Sequence, residues 1–148
     1  MAHTYPFALT WTGDTLAEPY SRDASASAPG KAPISVSSAA EYGGSGDRWN
    51  PEDLLGAALA NCHMLTFLAL CAKTRTQVLG YEDRAESVLE TVDKVTSIAE
   101  IRLRPTIMVA PGTDAAKVKE LFEKAHKYCF VANSIKSRVT MDPQVVEA

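Results

Sequence analysis

The chain has 148 residues, of which 46% are hydrophobic and 22% charged, a composition typical of one globular domain and not of a disordered chain. The formal net charge of −3 argues against binding to nucleic acid or to an anionic membrane, since both require a basic surface. Three cysteines are too few, and odd in number, for a secreted disulfide scaffold. The chain opens without a basic segment followed by an apolar run, so we expect a single cytoplasmic domain over residues 1–148.

The first part of the chain predicts three short strands. A half-buried edge strand is expected from the alternation of Tyr5, Phe7, Leu9 and Trp11 with polar residues. A second strand is predicted at about Tyr20 to Ser27 and a third at Ile34 to Ser37, with a tight turn at Pro29-Gly30-Lys31 between them. Residues 38–48 are rich in glycine and predict a loop.

A long helix is predicted next. Asn50 suits the cap position and Pro51 the first turn, and no strong terminator follows until Gly80, so the helix is expected to end at Leu79. At 1.5 Å per residue it would be about 45 Å long. Much of it is apolar on every face, which predicts that it is covered on all sides. Because so short a chain has difficulty covering such a helix, we expect an obligate dimer.

The C-terminal part alternates strands and a helix. The strongest strand pattern runs from Ala99 to Val109, and Pro111-Gly112 ends it. An amphipathic helix is predicted from Thr113 to Tyr128, and a last strand from Ile135 to Met141. Strands, a long helix, strands, a second helix and a strand make an α+β protein.

The three cysteines differ in position. Cys62 lies within the long helix, where a small core residue is the plainest interpretation. Cys71 is nine residues further on, on the opposite face, so it is interpreted as packing. Cys129 follows the second helix, where the chain changes direction. A disulfide between Cys62 and Cys129 would require Cα atoms about 4.4–6.8 Å apart.

A reactive Cys62 would need help to ionise. Burial raises the pKa of a thiol, and the helix dipole fades within the first turn. We therefore expect a cation to lower the pKa, with Arg22, Arg48 and Lys31 in the preceding region as the candidates.

Two segments resemble a known family. Residues 49–63 read WNPEDLLGAALANCH, and residues 125–134 read AHKYCFVANS. In this order they resemble the osmotically inducible protein C (OsmC) and organic hydroperoxide resistance (Ohr) proteins. The resemblance implies antiparallel sheets around a long central helix in an intertwined homodimer.

The same resemblance implies a thiol peroxidase. Cys62 would attack the terminal oxygen of an organic hydroperoxide and become a sulfenic acid, and Cys129 would then form a disulfide with it. Glu52 and an arginine would assist, with Arg22 as the first candidate and Arg48 as the alternative. No metal or flavin cofactor is implied, and the reductant would be an external dithiol such as a lipoylated protein.

Three further expectations concern this site. Glu52 and Cys62 are ten residues apart, or about 15 Å along one helix, so Glu52 is expected to reach the thiol of a second subunit. Phe130 follows Cys129 where the family often has proline, and is expected to leave Cys129 differently placed or more mobile. A preference for bulky organic hydroperoxides is expected from nearby apolar residues, Met64, Phe67, Leu68, Phe122 and Phe130.

Two alternatives remain open. Cys62, His63, His126 and Cys129 are suitable in number and type for a zinc site, although the first two point about 100° apart on a helix. His126 is expected to be solvated among lysines. The other alternative is a non-enzymatic protein of the same fold that binds a small molecule or lipid.

Overall fold

The computed structural model describes all 148 residues, which divide into two compact units, residues 1–54 and 55–148. The boundary lies in the first turn of the long helix, so this helix begins in one unit and continues in the other. The single domain over residues 1–148 stays a prediction.

The first unit contains a small antiparallel sheet. Its strands are adjacent in chain order: β1 (Ala8–Thr10), β2 (Ala24–Ser27) and β3 (Ile34–Val36). The predicted turn between β2 and β3 is confirmed, because the N–H of Lys31 donates to the carbonyl oxygen of Ala28 at 3.1 Å. The prediction of a half-buried first strand is wrong, since the Phe7 side chain just before it is 81% exposed and Leu9 is exposed too.

The long helix, α1 (Pro51–Lys73), begins where it was predicted. The Asn50 side chain accepts from the N–H of Asp53 at 2.8 Å, and the Asp53 carboxylate accepts from the N–H of Asn50 at 3.3 Å. The helix ends six residues before the predicted Leu79, so it is about 35 Å long. Arg75 adopts a left-handed conformation with φ 56°, which ends the helix without a glycine.

Only one face of α1 is buried within the chain. Its buried residues follow helical spacing: Gly56, Leu59, His63, Phe67 and Cys71. The opposite face is open, and Leu65 on it is 55% exposed. The single chain therefore does not cover α1 on all sides. By length and composition alone α1 could cross a membrane, but its buried face belongs to the protein core.

The second unit contains two three-stranded sheets. One has the order β4-β7-β9 and the other β5-β6-β8. The strands are β4 (Val78–Asp83), β5 (Glu86–Val92), β6 (Val95–Leu103), β7 (Pro105–Val109), β8 (Arg138–Met141) and β9 (Gln144–Glu147). The β4–β7 and β5–β6 pairs are antiparallel, whereas β8 and β9 pair in parallel with β6 and β7. The predicted α+β class is confirmed.

Two strand predictions need correction. The single alternating strand from Ala99 to Val109 is divided between β6 and β7, which belong to different sheets, and Pro105 begins the second of them. The predicted last strand corresponds to β8, and β9 was not predicted.

The second helix, α2 (Ala115–Tyr128), covers the core and leads into Cys129. Asp114 caps it by accepting from the N–H groups of Ala116 and Lys117. Tyr128, the last residue of the helix, is exposed. The core joins the inward residues of α1, α2 and the two sheets: Leu59, Phe67, Ile101, Leu103, Ile107, Val109, Val118, Leu121 and Phe122.

Candidate active site

The end of α2 and the middle of α1 bring two cysteines together. Cys62 is half-buried on α1, and Cys129 is fully buried at the C-terminal cap of α2. Both are free thiols, and the Cys129 thiol hydrogen-bonds to the sulfur of Cys62. Two of the four predicted site residues are therefore in direct contact.

The chain that follows Cys129 folds into a tight turn around the two sulfurs. The N–H of Asn133 donates to the carbonyl oxygen of Cys129 at 3.1 Å, and the N–H of Ser134 to that of Val131 at 2.9 Å. The N–H of Ala132 then points back to the Cys129 sulfur at 3.4 Å. The turn therefore directs the N–H of Ala132 at the buried Cys129 sulfur.

The pKa of the Cys62 thiol is lowered by this turn. Burial alone would raise the pKa, but hydrogen bonds from the Val131 N–H, the Cys129 thiol and the Phe130 N–H outweigh it. The hydroxyl of Thr66 also lies beside the sulfur, but its one proton goes to the carbonyl oxygen of Cys62 at 2.8 Å. The principal donors to a Cys62 thiolate are therefore backbone N–H groups and the second thiol.

The pKa of the Cys129 thiol moves the other way. Burial raises it, and the neighbouring Cys62 adds to the effect, while the N–H of Ala132 offsets part of the rise. The proton of the pair therefore stays on Cys129 and the negative charge develops on Cys62. Such a pair can supply a nucleophilic thiolate and, next to it, a thiol able to form a disulfide.

Hydrogen bonds lower the pKa of Cys62 within the single chain, and no cation is among the causes of the shift. That a cation lowers the pKa of Cys62 stays a prediction. Arg22 lies in the first unit, 4.2 Å above the ring of Tyr20, and donates to the carbonyl oxygens of Tyr20 and Gly43 at 3.2 and 3.4 Å. Arg48, the alternative, forms an ion pair with Asp23 at 3.4 Å. Glu52 is in the first turn of α1. The roles of Arg22 and Glu52 stay predictions.

The structure gives the zinc alternative no support. No group of three or more histidine, cysteine or acidic side chains is arranged to hold a metal ion. His63 is fully buried, with its ring centroid 4.3 Å from that of Phe122 and 6.4 Å from that of His126. Burial and the nearby His126 lower the pKa of His63 to about 4, so it is neutral at pH 7. His126 is half-buried, not solvated as predicted, and its Nδ1 is enclosed.

The apolar residues expected around the thiol have different environments. Phe67 and Phe122 are fully buried and form part of the core, so neither is free to contact a substrate. Met64 and Leu68 are half-buried on α1. Phe130 is 82% exposed, directly after Cys129. Phe130 is therefore the most exposed of the apolar side chains expected beside the cysteines.

The N–H groups of Phe130, Val131 and Ala132 are the functional groups that the sequence did not reveal. Every residue except proline has an N–H, so a backbone donor has no signature in residue type. The one usable signal was Asn133-Ser134, since these residues favour tight turns. Their side chains do hold this turn, by donating to the carbonyl oxygens of Lys127 at 3.2 Å and Phe130 at 2.8 Å.

Comparison with known proteins identifies the family. Residues 44–144, which include both cysteines, match the family model of the OsmC-like proteins. The chain belongs to the OsmC-like family. It is 30% identical over 96 residues to a protein from Escherichia coli named peroxiredoxin OsmC, a match that covers 65% of this chain and 66% of that protein.

Two further OsmC-like relatives agree with this assignment. An organic hydroperoxide resistance protein from Xanthomonas axonopodis pv. citri is 27% identical over 107 residues, 70% of this chain and 72% of that protein. A solved OsmC-like protein of unknown function from Vibrio cholerae superposes with a TM-score of 0.85 at 26% identity, and covers 96% of this chain and 99% of its own. The predicted OsmC/Ohr resemblance is confirmed.

Proposed function

We propose that this protein is a thiol-dependent peroxidase that reduces organic hydroperoxides to alcohols. The observation that carries the proposal is the contact between Cys62, with a lowered pKa, and Cys129, with a raised one. The names of two relatives, peroxiredoxin OsmC and organic hydroperoxide resistance protein, support a peroxide-related role. The match covers 66% of the E. coli protein, so we extend the activity of that protein to this chain only as part of the proposal.

In the first step the Cys62 thiolate attacks the terminal oxygen of the hydroperoxide. A sulfur lone pair forms the S–O bond, the O–O bond breaks, and its electron pair leaves with the alkoxide. A proton then converts the alkoxide to the alcohol, and Cys62 is left as a sulfenic acid. Sulfur is oxidised by two electrons and the peroxide is reduced by two.

In the second step Cys129 resolves the sulfenic acid. The Cys129 sulfur, after loss of its proton, attacks the Cys62 sulfur, the S–O bond breaks, and the hydroxide leaves as water with that proton. An external dithiol, such as a lipoyl group on a protein, then supplies two electrons and two protons to regenerate both thiols. The cycle requires no bound cofactor, and we place it in the cytoplasm, where such dithiols are reduced.

The proposed active form is a homodimer. It is supported by exposed apolar side chains on both units, including Tyr5, Phe7 and Leu9 around β1 and Leu65 on α1. Glu52 is ten residues from Cys62 on one helix, so it would reach the Cys62 thiol of a second copy. There it would orient Arg22, whose guanidinium would polarise the peroxide and stabilise the leaving alkoxide.

Rapid mixing of the reduced protein with cumene hydroperoxide tests the proposal. We expect fast loss of two thiols per chain, faster than with hydrogen peroxide because Phe130 offers an apolar surface. In Cys62→Ser the reaction should be lost, whereas in Cys129→Ser one thiol should still oxidise and a sulfenic acid should persist. Cys71→Ser is the matched control, since it changes a thiol of the same helix outside the pair.

Peroxide turnover that survives in Cys62→Ser would contradict the proposal. Intact thiols after prolonged exposure would favour the other candidate, a non-enzymatic protein of this fold that binds a small molecule or lipid.

A further inference from the structure

The guanidinium of Arg22 is held by two other residues of the first unit. Its carbon atom lies 4.2 Å from the centre of the Tyr20 ring, which is a cation–π contact. Its Nη1 donates to the carbonyl oxygen of Tyr20 at 3.2 Å and to that of Gly43 at 3.4 Å. Arg22 is half-buried and forms no ion pair within the chain. Tyr20 and Gly43 therefore hold a cation whose charge no carboxylate of the same chain neutralises.

One edge of this guanidinium is left free. Both hydrogen bonds engage Nη1, whereas Nε and Nη2 have no hydrogen-bond partner within the chain. We define these two nitrogens as the free edge of Arg22. Their N–H groups point to the same side of the planar guanidinium, an arrangement that suits a carboxylate or another oxyanion. Donors that are oriented in advance stabilise a developing negative charge without reorganisation.

Glycine at position 43 leaves the space that the guanidinium occupies. A Cβ atom there would lie 2.8 Å from Nη1 and 2.9 Å from Cζ of Arg22, which is closer than a side chain packs. Gly43 follows a short 3-10 helix, Ala40–Tyr42, and has a φ of 82°. Its N–H donates to the carbonyl oxygen of Ala40 at 3.0 Å. The loop therefore fixes the carbonyl group that accepts from Arg22.

The segment that carries Tyr20 is fixed as well. The indole N–H of Trp11 donates to the carbonyl oxygen of Ser21, between Tyr20 and Arg22, at 2.8 Å. The hydroxyl oxygen of Ser21 accepts from the N–H of Asp23 at 3.2 Å. Both acceptors of the Arg22 guanidinium thus belong to backbone that is held by its own hydrogen bonds.

We propose that Tyr20 and Gly43 are positioning residues that hold the Arg22 guanidinium with its free edge open to an oxyanion. This role rests on the proposed peroxidase function, in which the oxyanion is the alkoxide that leaves when the O–O bond of the hydroperoxide breaks. The N–H groups of the free edge donate to that oxygen as its charge develops. Arg22 stays protonated throughout, so it does not supply the proton that completes the alcohol.

Gly43→Ala tests the position of the guanidinium, with Gly30→Ala as the matched control. Gly30 has a φ of 72°, so alanine strains the backbone at both positions, but a Cβ atom at Gly30 would have no other atom within 4 Å. The rate constant for oxidation of Cys62 by cumene hydroperoxide should fall roughly tenfold in Gly43→Ala, because catalysis depends steeply on the placement of an oriented group. In Gly30→Ala it should stay near that of the wild type.

A second pair of variants tests the ring of Tyr20. Tyr20→Leu removes the cation–π contact and should slow the same oxidation about two- to fivefold, the effect of such a contact at an exposed site. Tyr20→Phe keeps the ring over the guanidinium and should restore most of the rate. The backbone carbonyl of residue 20 is present in both variants, so the comparison isolates the ring.

Two further measurements exclude a merely structural effect. Alkylation of Cys62 by iodoacetamide, at a pH where its rate no longer rises, releases iodide and no alkoxide, so the rate should be the same in all four variants. In an Arg22→Ala background, Gly43→Ala and Tyr20→Leu should have no further effect on peroxide oxidation. Equal losses with and without Arg22 would overturn the proposal, as would equal losses in Gly43→Ala and Gly30→Ala.

The positioning role and the peroxidase can fail separately. Nitrogen-15 relaxation at Nε of Arg22 requires no peroxide and should show an ordered side chain in the wild type that becomes more mobile in Gly43→Ala and Tyr20→Leu. This result in a protein that does not consume hydroperoxide would leave the positioning standing and refute the enzyme. Fast peroxide reduction at a rate that neither substitution changes would refute the positioning alone.

Discussion

Two cysteines on the same helix have opposite chemical environments. Cys62 and Cys71 are nine residues apart on α1, yet the pKa of Cys62 is lowered and burial raises that of Cys71 to about 11. The difference comes from what each sulfur meets. Cys62 meets a turn with N–H donors and a second thiol, whereas Cys71 meets only the core.

The comparison shows that a helix does not determine the reactivity of its cysteines. Both lie well past the first turn of α1, where the dipole has little effect. A partner segment that presents polar hydrogens makes the difference, and it comes from the end of α2, far away in sequence. The reactivity of a buried cysteine on a long helix can therefore be predicted only when the segment that packs against its sulfur is known.

The largest expected effect tests how completely water is excluded from the buried face of α1, which includes Cys71. His63 lies on this face and is buried neutral, with a folded-state pKa of about 4 against an ordinary 6.5. Below pH 6.5 this histidine binds a proton in the unfolded chain but stays neutral in the folded chain. The free energy of unfolding should thus be unaffected above pH 6.5 and fall by about 3 kcal/mol between pH 6.5 and 4.

His63→Leu removes this titration at similar side-chain volume. Chemical denaturation across pH 4–7 should show a shallower loss of stability in the variant than in the wild type. If stability fell equally steeply with pH in the two proteins, His63 would be hydrated, and water would not be excluded from this face of α1.

The next effect concerns the two thiols directly. Burial raises the pKa of Cys71 from 9.0 to about 11, which lowers its thiolate fraction near neutral pH about a hundredfold, whereas the pKa of Cys62 is shifted in the opposite direction. Burial of Cys71 slows its reaction further. Iodoacetamide at pH 7 should therefore label Cys62 at least a hundredfold faster, as measured on the separated peptides. If Cys71 were labelled at a rate comparable to that of Cys62 in the folded protein, the two thiols would not differ in environment as described.

The smallest expected effect asks whether Cys71 has any part besides packing. Cys71→Ala removes a buried sulfur from the core and should lower the free energy of unfolding by about 1 kcal/mol. Hydroperoxide turnover should not change, because the variant leaves Cys62 and Cys129 in contact. A marked loss of turnover in a folded Cys71→Ala protein would show that the core thiol contributes to the chemistry.

Much of the fold could be predicted where a residue has one clear local effect. Asn50 and Pro51 mark the start of α1, and the turn at Lys31 joins β2 to β3, because capping and turn preferences act over a few residues. The end of α1 was misplaced because Arg75, not a glycine, takes the left-handed conformation.

The sheets were harder to predict than the helices. Ala99 to Val109 keeps one alternation of apolar residues, yet the chain changes sheets at Pro105. The alternation of apolar residues indicates which face of a strand is buried, but it does not indicate which strand pairs with it. The parallel pairing of β8 and β9 depends on tertiary contacts that no local pattern contains.

The candidate site was predictable in part. The two sequence segments indicated Cys62 and Cys129, and the structure places their thiols together. The means of lowering the pKa of Cys62 was not predictable, because a cation is visible in a sequence and an oriented N–H is not.

The most direct test of the pairing is to map the disulfide formed by one equivalent of cumene hydroperoxide. Peptide mass spectrometry without reduction identifies which two of the three cysteines are joined. The contact between the two thiols predicts a single Cys62–Cys129 disulfide within one chain, with Cys71 still a free thiol. A disulfide that contains Cys71, or oxidation of Cys62 without Cys129, would contradict the account.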